Sequence, residues 1–339
     1  MATLGDTVTA HWQSENPARG LIGVRIVLRI VICVLAAALA ARMTVASAAT
    51  VGFSQVGAES DWRTAFTADM QAAAEARHIK MEFDDAQGSV DRQIAAVRRF
   101  ISDHVDAIVI APVVVTGWTA VLKEAQAAHI PVFIADRSVD ADPSLFVARI
   151  GNDTNLEGRL AGSWLAQASR GRCAIVELQG TPGSAPAIGR KQGFAAIIAQ
   201  FPDMRVIRSE TGNFTSDGGR QVMEQFIKST NGLKGVCAVW AHNDNMLLGA
   251  IEAMKAAGMR PGKDVLTISV DGVPGIYRAM LAGEANASVE VKSDIGKFIF
   301  DVVEGYLAGR HDYPKWVLIP SDLHTPEDAA QMLSRHVVD

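Results

Sequence analysis

Short apolar runs alternate with longer amphipathic stretches from Thr50 onward. Val51-Gly52-Phe53-Ser54 reads as a strand, and a helix follows over roughly 61–76. Residues 79–83 form the next strand. The helix after it starts near Val90, with Ser89 as N-cap and Ile94, Val97 and Ile101 at helical spacing. Strand 105–110, helix 119–128, strand 130–135 and an extended stretch 146–150 complete this series. A second series begins where Leu156, Leu160, Ala161, Trp164 and Leu165 share a helix face. Its strands fall at 174–178, 205–208, 236–241 and 265–270, and its helices at 189–200, 218–229 and 246–257. Strands alternating with helices predict parallel, doubly wound α/β sheets. Two series predict two similar lobes, because one sheet of about ten strands is unusual. Phe53-Ser54-Gln55-Val56-Gly57 and Leu178-Gln179-Gly180-Thr181-Pro182-Gly183 leave the first strand of each series in similar ways, which suits a duplication.

The residues before Thr50 break this pattern. Arg19, Arg25 and Arg29 precede an apolar run over 30–41, and Ala46-Ser47-Ala48 fits a small-residue cleavage site. Residues 1–48 are expected to be a signal peptide. A run of about 12 residues is too short to span a bilayer, so export is expected rather than anchoring. The polar stretch 1–18 makes this leader long and leaves the true start codon open. Cys33 would be lost with it. Cys173 and Cys237 remain, each opening an apolar strand. If those strands are neighbours in an oxidising compartment, the two can bridge; otherwise they are buried thiols.

Composition adds bounds. The 339 residues, 49% hydrophobic and 20% charged, suffice for two cores. A net charge of −5 argues against nucleic acid as a partner.

Polar clusters recur where the apolar runs end. Ile130-Pro131-Val132-Phe133-Ile134-Ala135 delivers Asp136 and Arg137 side by side to one sheet edge, the edge at which open α/β sheets bind ligands. A carboxylate accepts hydrogen bonds and a guanidinium only donates them, so together they satisfy a polyol hydroxyl. A surface ion pair is the plainer alternative. Asn243 follows Trp240-Ala241-His242, and Asp271 follows Ile268-Ser269-Val270, where an Asx turn competes. Arg190 opens a helix after the loop Gly180-Thr181-Pro182-Gly183-Ser184 and points into the cleft or is simply solvated. Trp62-Arg63 starts the first helix, with core packing as the alternative for Trp62. Phe214 lies in the polar loop Gly212-Asn213-Phe214-Thr215, where core packing explains it poorly. Glu290, after Ala287-Ser288-Val289, is a further acceptor near a crossover. Aromatic walls with charged hydrogen-bond partners suit a saccharide.

Other chemistries lack support. The glycine loop has no GxGxxG, and Lys191 is not followed by Ser or Thr as in a P-loop. Gly-x-Ser-x-Gly is absent. The eight His show no HExxH or Cys/His spacing. Asp84-Asp85-Ala86-Gln87-Gly88 lacks the Glu that closes a calcium loop. No catalytic residue, metal or cofactor is therefore expected.

Together these residues resemble the type I periplasmic binding proteins, in the ribose-binding and LacI-like sugar group, and within it the galactofuranose-binding type. The likeness runs from about Thr50 to Leu323. It is carried by Val51-Gly52-Phe53-Ser54-Gln55-Val56-Gly57, Ala111-Pro112-Val113-Val114-Val115-Thr116-Gly117-Trp118, Val176-Glu177-Leu178-Gln179-Gly180-Thr181, Ala241-His242-Asn243-Asp244 and Asp271-Gly272-Val273-Pro274. The resemblance implies a ligand site of Asp136 and Arg137 from the first lobe, and of Arg190, Asn243, Asp271 and Glu290 from the second lobe and crossover. Phe214 and Trp62 would be its aromatic walls, with Arg63 beside the latter. Asp61 stands where the ribose-binding pattern has a second aromatic, and Glu290 where it has an amide. Both departures point away from ribose and agree with the galactofuranose type. The resemblance further implies hinge crossings near 152–155, 289–291 and Pro320. The lobes would then be 50–152 plus 291–319, and 153–290 plus 320–339. It implies a periplasmic monomer that closes on a monosaccharide and docks on an ABC transporter permease. A chemosensory receptor component would share these features. A DNA-binding repressor would need a head before Thr50, where the leader stands. A sugar-active enzyme would need an acid and a base from Asp136, Asp271 and Glu290, which neighbouring arginines are expected to keep ionised.

Overall fold

The computed structural model describes residues 48–335. The expected signal peptide lies outside them, except for Ala48. In chain order the elements are β1 (Thr50–Gln55), α1 (Asp61–Ala76), β2 (Lys80–Asp85), α2 (Val90–Ser102), β3 (Ala107–Ile110), α3 (Thr119–Ala127), β4 (Val132–Ala135), β5 (Arg149–Gly151), α4 (Thr154–Ala168), β6 (Arg172–Gln179), α5 (Ala185–Ile198), β7 (Asp203–Thr211) and α6 (Ser216–Ser229). There follow β8 (Ala238–Ala241), α7 (Asp244–Ala256), β9 (Leu266–Asp271), α8 (Pro274–Leu281), β10 (Ala287–Glu290), α9 (Gly296–Leu307), β11 (Trp316–Leu318), β12 (Asp322–His324) and α10 (Ala329–Arg335).

The strands form two six-stranded sheets of matching order, β2-β1-β3-β4-β5-β11 and β7-β6-β8-β9-β10-β12. Every pairing is parallel except β10 with β12. Two doubly wound α/β lobes result, as the alternation predicts. The central strands β3, β4 and β8 are apolar at every position and buried at every position, as strands covered on both faces must be. The edge strands β2 and β7 mix exposed and half-buried positions, with Met204 on β7 the one buried side chain. Polar residues on β7 hide its full length, which explains why the apolar pattern marks only 205–208.

Two helix faces differ from the sequence pattern. Helix α2 buries Gln93, Ala96, Val97 and Phe100, while Ile94 and Ile101 are only half-buried. Gln93 turns the face inward because its amide closes the end of β3: Nε2 donates to the Ala111 carbonyl and Oε1 accepts from the Val113 N–H, each at 2.8 Å. Helix α4 buries Glu157, Gly158, Ala161, Gly162, Leu165 and Ala166, and leaves Leu156 39% exposed. The cause is backbone proximity. A Cβ on Gly158 would stand 2.1 Å from the Arg190 carbonyl oxygen, and one on Gly193 2.0 Å from that of Asn155. Glycines on both helices let α4 and α5 touch along their backbones, which an apolar count does not register.

The chain passes between the sheets after β5, after β10 and between β11 and β12. Asn152 ties the first passage to the third, donating from Nδ2 to the Ile319 carbonyl at 3.1 Å and to Ser321 Oγ at 2.9 Å. Cys173 and Cys237 form a disulfide with a Cα–Cα distance of 5.2 Å, joining the amino-terminal ends of neighbouring strands β6 and β8. No helix among the described residues is long and apolar enough to cross a membrane.

Candidate functional site

Parallel strands present their carboxyl ends and the following loops to one edge, and the ends of both sheets meet at one cavity. The first lobe lines it with Glu59, Ser60, Trp62, Arg63, Asp136 and Arg137. The second contributes Pro186, Arg190, Phe214, Asn243 and Asp271, and Val291 comes from the second passage. Eight of the nine residues singled out in the sequence therefore converge. The exception is Glu290, whose carboxylate faces His324 Nε2 at 3.3 Å.

The pairing inside the cavity differs from the sequence picture. Asp136, in the left-handed region at φ 60°, accepts from Arg63 Nη2 at 2.7 Å and lies 3.9 Å from Arg137 Nε. The close acidic partner of Arg137 is Glu59, and Arg137 Nη1 also donates to the Val113 carbonyl at 3.3 Å. Adjacent residues in a turn point apart, so each charge finds a partner from another element. Burial lowers the Arg137 pKa in spite of Glu59 and Asp136. Trp62 is 5% exposed. Its indole N–H donates to the Val291 carbonyl, and its ring stacks on Phe66 at 5.4 Å. It is both packed and cavity-lining.

In the second lobe Arg190 is clamped. Nε donates to Glu157 at 2.7 Å, Nη1 to the His242 carbonyl at 2.5 Å, and Nη2 meets Asp271 at 3.4 Å. Burial opposes its charge, but Glu157 and Asp271 outweigh that and hold its pKa above the ordinary value. Burial raises Glu157, against the pull of Arg190. Asp271 is pushed well above the carboxylate range, first by burial and further by Asp244 and Glu157, although Arg190 opposes it. The expectation that neighbouring arginines keep Asp271 ionised thus yields to desolvation. Asn243 caps α7: Oδ1 accepts from the Met246 N–H, and Nδ2 donates to the Phe214 carbonyl, each at 3.0 Å. One amide N–H remains to it.

Glu59 and Glu157 escape the sequence reading. Glu59 sits in a loop with no pattern around it. Glu157 has a signal: it precedes Ala161 and Leu165 by one and two helical turns, so an acid stands on a buried stripe.

Behind Asp271, Asp244 accepts from Ser269 Oγ (2.5 Å), Ser288 Oγ (2.8 Å) and the N–H groups of Gly272 (2.6 Å) and Val273 (2.9 Å). Burial raises its pKa from 3.8 to about 6. The folded chain thus holds this proton more tightly than the unfolded chain. The stability it contributes is fully present below pH 3.8 and is lost as pH rises through about 6. Asp244→Asn is expected to remove this share of the slope. Urea denaturation at stepped pH checks it, and an unchanged slope would clear Asp244 of the titration.

Sequence comparison adds the lineage. A family model described as "Periplasmic binding protein domain" matches residues 51–311. The chain belongs to the periplasmic binding protein family. Among its relatives, the galactofuranose-binding protein YtfQ of Escherichia coli K12 is 48% identical over 309 residues, 91% of this chain and 97% of that protein. The crystal structure of a galactofuranose binding protein superposes with a TM-score of 0.83 at 50% identity, covering 85% of this chain and 98% of that one. The binding protein of an arabinose ABC transporter from Shewanella sp. ANA-3, bound to α- and β-L-arabinofuranose, gives 0.82 at 50% identity, with 84% and 95% covered. A Mycobacterium smegmatis protein in complex with β-D-fucofuranose gives 0.82 at 42%, with 86% and 96% covered. The two doubly wound lobes of this periplasmic binding protein thus superpose on solved relatives, two of which are bound to furanoses.

Proposed function

We propose that this protein captures a furanose sugar, D-galactofuranose or a near stereochemical relative, and presents it in the periplasm to an ABC importer without altering it chemically. The carrying observation is the convergence of acids and arginines from both lobes, beside Trp62, on one cavity. Carboxylates accept from sugar hydroxyls and guanidiniums donate to them. Asp271 and Arg190, 3.4 Å apart, set an acceptor and a donor side by side for one hydroxyl. Trp62 offers an apolar face to ring C–H groups. The lobes 50–152 plus 291–319 and 153–290 plus 320–339 move as two bodies about the three passages. Sugar favours the closed form because only there do both lobes reach it. Furanose ligands in three relatives support the ring form, and the expected leader of residues 1–48 supports export.

Tryptophan fluorescence titration of the mature protein with D-galactofuranose, L-arabinofuranose, galactopyranose and ribose tests this reading. The furanose hexose should bind tightest; tight ribose binding with no response to galactofuranose would overturn it. Asp136→Asn keeps an acceptor for Arg63 but removes the charge, and should weaken binding by about 2 kcal/mol, roughly 30-fold. Buried Arg63 loses its paired carboxylate in this variant, so folding stability should fall as well, and urea denaturation separates that loss from the loss of affinity. Calorimetry showing unchanged affinity would remove Asp136 from the site.

A further inference from the structure

We propose that Phe214 is a cross-lobe latch. Its ring is the surface on which Arg137 of the opposite lobe docks, and this contact sets how much of the protein is closed before any sugar arrives. The inference rests on the sugar-binding reading only in that the latch tunes the affinity of that site.

Phe214, expected to be a sugar-facing wall, lines the cavity with 3% of its surface exposed. The Arg137 guanidinium carbon lies 5.4 Å from its ring centroid, and that of Arg190, from its own lobe, 6.0 Å. Both distances suit a cation–π contact, which strengthens when desolvated. The backbone is bent to allow this: Asn213 and Phe214 have φ of 54° and 64°, a left-handed pair that strains a bulky residue. Two contacts hold the bend. Asn243 Nδ2 donates to the Phe214 carbonyl at 3.0 Å. The ring tip presses on Gly180, where a Cβ would stand 1.9 Å from Cζ, so no larger residue fits.

The contacts close into a ring across the cleft. From Gly180 the loop runs to Gly183, whose carbonyl accepts from the Val115 N–H of the first lobe at 3.0 Å. Two residues before Val115, the Val113 carbonyl accepts from Arg137, which rests on Phe214. All of these contacts are made between protein groups. Opening breaks the Arg137–Phe214 and Val115–Gly183 contacts together. Affinity then scales with the fraction already closed.

Spin labels at Lys123→Cys and Lys228→Cys, both exposed and one on each lobe, report the lobe distance without sugar. The parent should show a short-distance population that Phe214→Leu reduces about fivefold and Phe214→Trp retains. Val115→Pro deletes the donor on the other lobe without touching the core and should shift the distances in the same direction, which keeps the test intact should Phe214→Leu fold poorly. With D-galactofuranose, Phe214→Leu should raise the dissociation rate about fivefold and leave association nearly unchanged. Identical sugar-free distances in the parent, Phe214→Leu and Val115→Pro would overturn the latch, whatever happens to affinity. Failure of every sugar to bind would instead strike the proposed ligand, and the sugar-free distances would still decide the latch.

Discussion

Replacing Arg190 by methionine is expected to cost about 3–5 kcal/mol of folding stability at neutral pH, the scale for removing one partner of a buried ion pair. Arg190 is 5% exposed and stands between Glu157 and Asp271, themselves 1% and 6% exposed. Methionine fills much of the volume but leaves two buried acids without their cation. Both already have raised pKa values with Arg190 present, and they rise further without it. The damage should therefore depend on pH, with a definite sign. Protonating the two acids relieves the unpaired charge, so the deficit relative to the parent shrinks as pH falls from 7.5 towards 5. Urea denaturation at both pH values measures this. A deficit that stays constant would mean that lost packing, not lost charge, is responsible. Sugar binding should weaken by at least about 100-fold, or roughly 3 kcal/mol, because Arg190 also lines the cavity and positions Asp271.

Removing the disulfide should destabilise the protein by about 4 kcal/mol while leaving affinity nearly unchanged. The bridge spans a sequence separation of 64 residues, and the chain-entropy relation gives a value of that order for such a loop. Cys173 lies at the start of β6, and the cavity lies beyond its other end at Gln179. Six strand residues put about 20 Å between them. Cys173→Ala with Cys237→Ala should therefore lower the urea midpoint and leave the sugar titration unmoved. A parallel loss of affinity would show that the sheet transmits strain from its base to its binding edge. Equal stability of the double variant and the oxidised parent would show that the bridge adds nothing.

Much of the fold was legible because its strands are buried on both faces. Runs such as Ala107–Ile110 and Val132–Ala135 are unbroken apolar segments, and polar loops separate them from the helices. The polar edge strand β7 and helix α4 were harder to delimit or orient. On α4 the packing surface is made of glycines and one paired acid, whose burial depends on α5 being there to receive them. The site divides in the same way. Asp136, Arg137, Asn243 and Asp271 were visible because a polar residue directly after a buried strand has only one edge to occupy. Glu59 and Glu157 were not singled out, since their roles come from contacts far along the chain. Glu290 looked like its neighbours on a strand end, yet it turns to His324 on the antiparallel strand β12.

The order of elements, the doubled α/β architecture and the edge carrying the polar residues were determined by local sequence alone, because hydrophobic periodicity and strand-end placement are properties of adjacent residues. Which charge pairs with which was decided only in three dimensions. Asp136 belongs to Arg63, Arg137 to Glu59, and Arg190 to Glu157 and Asp271. A buried charge takes whichever opposite charge the packed backbones bring within hydrogen-bond reach, and that distance does not exist until the lobes have folded.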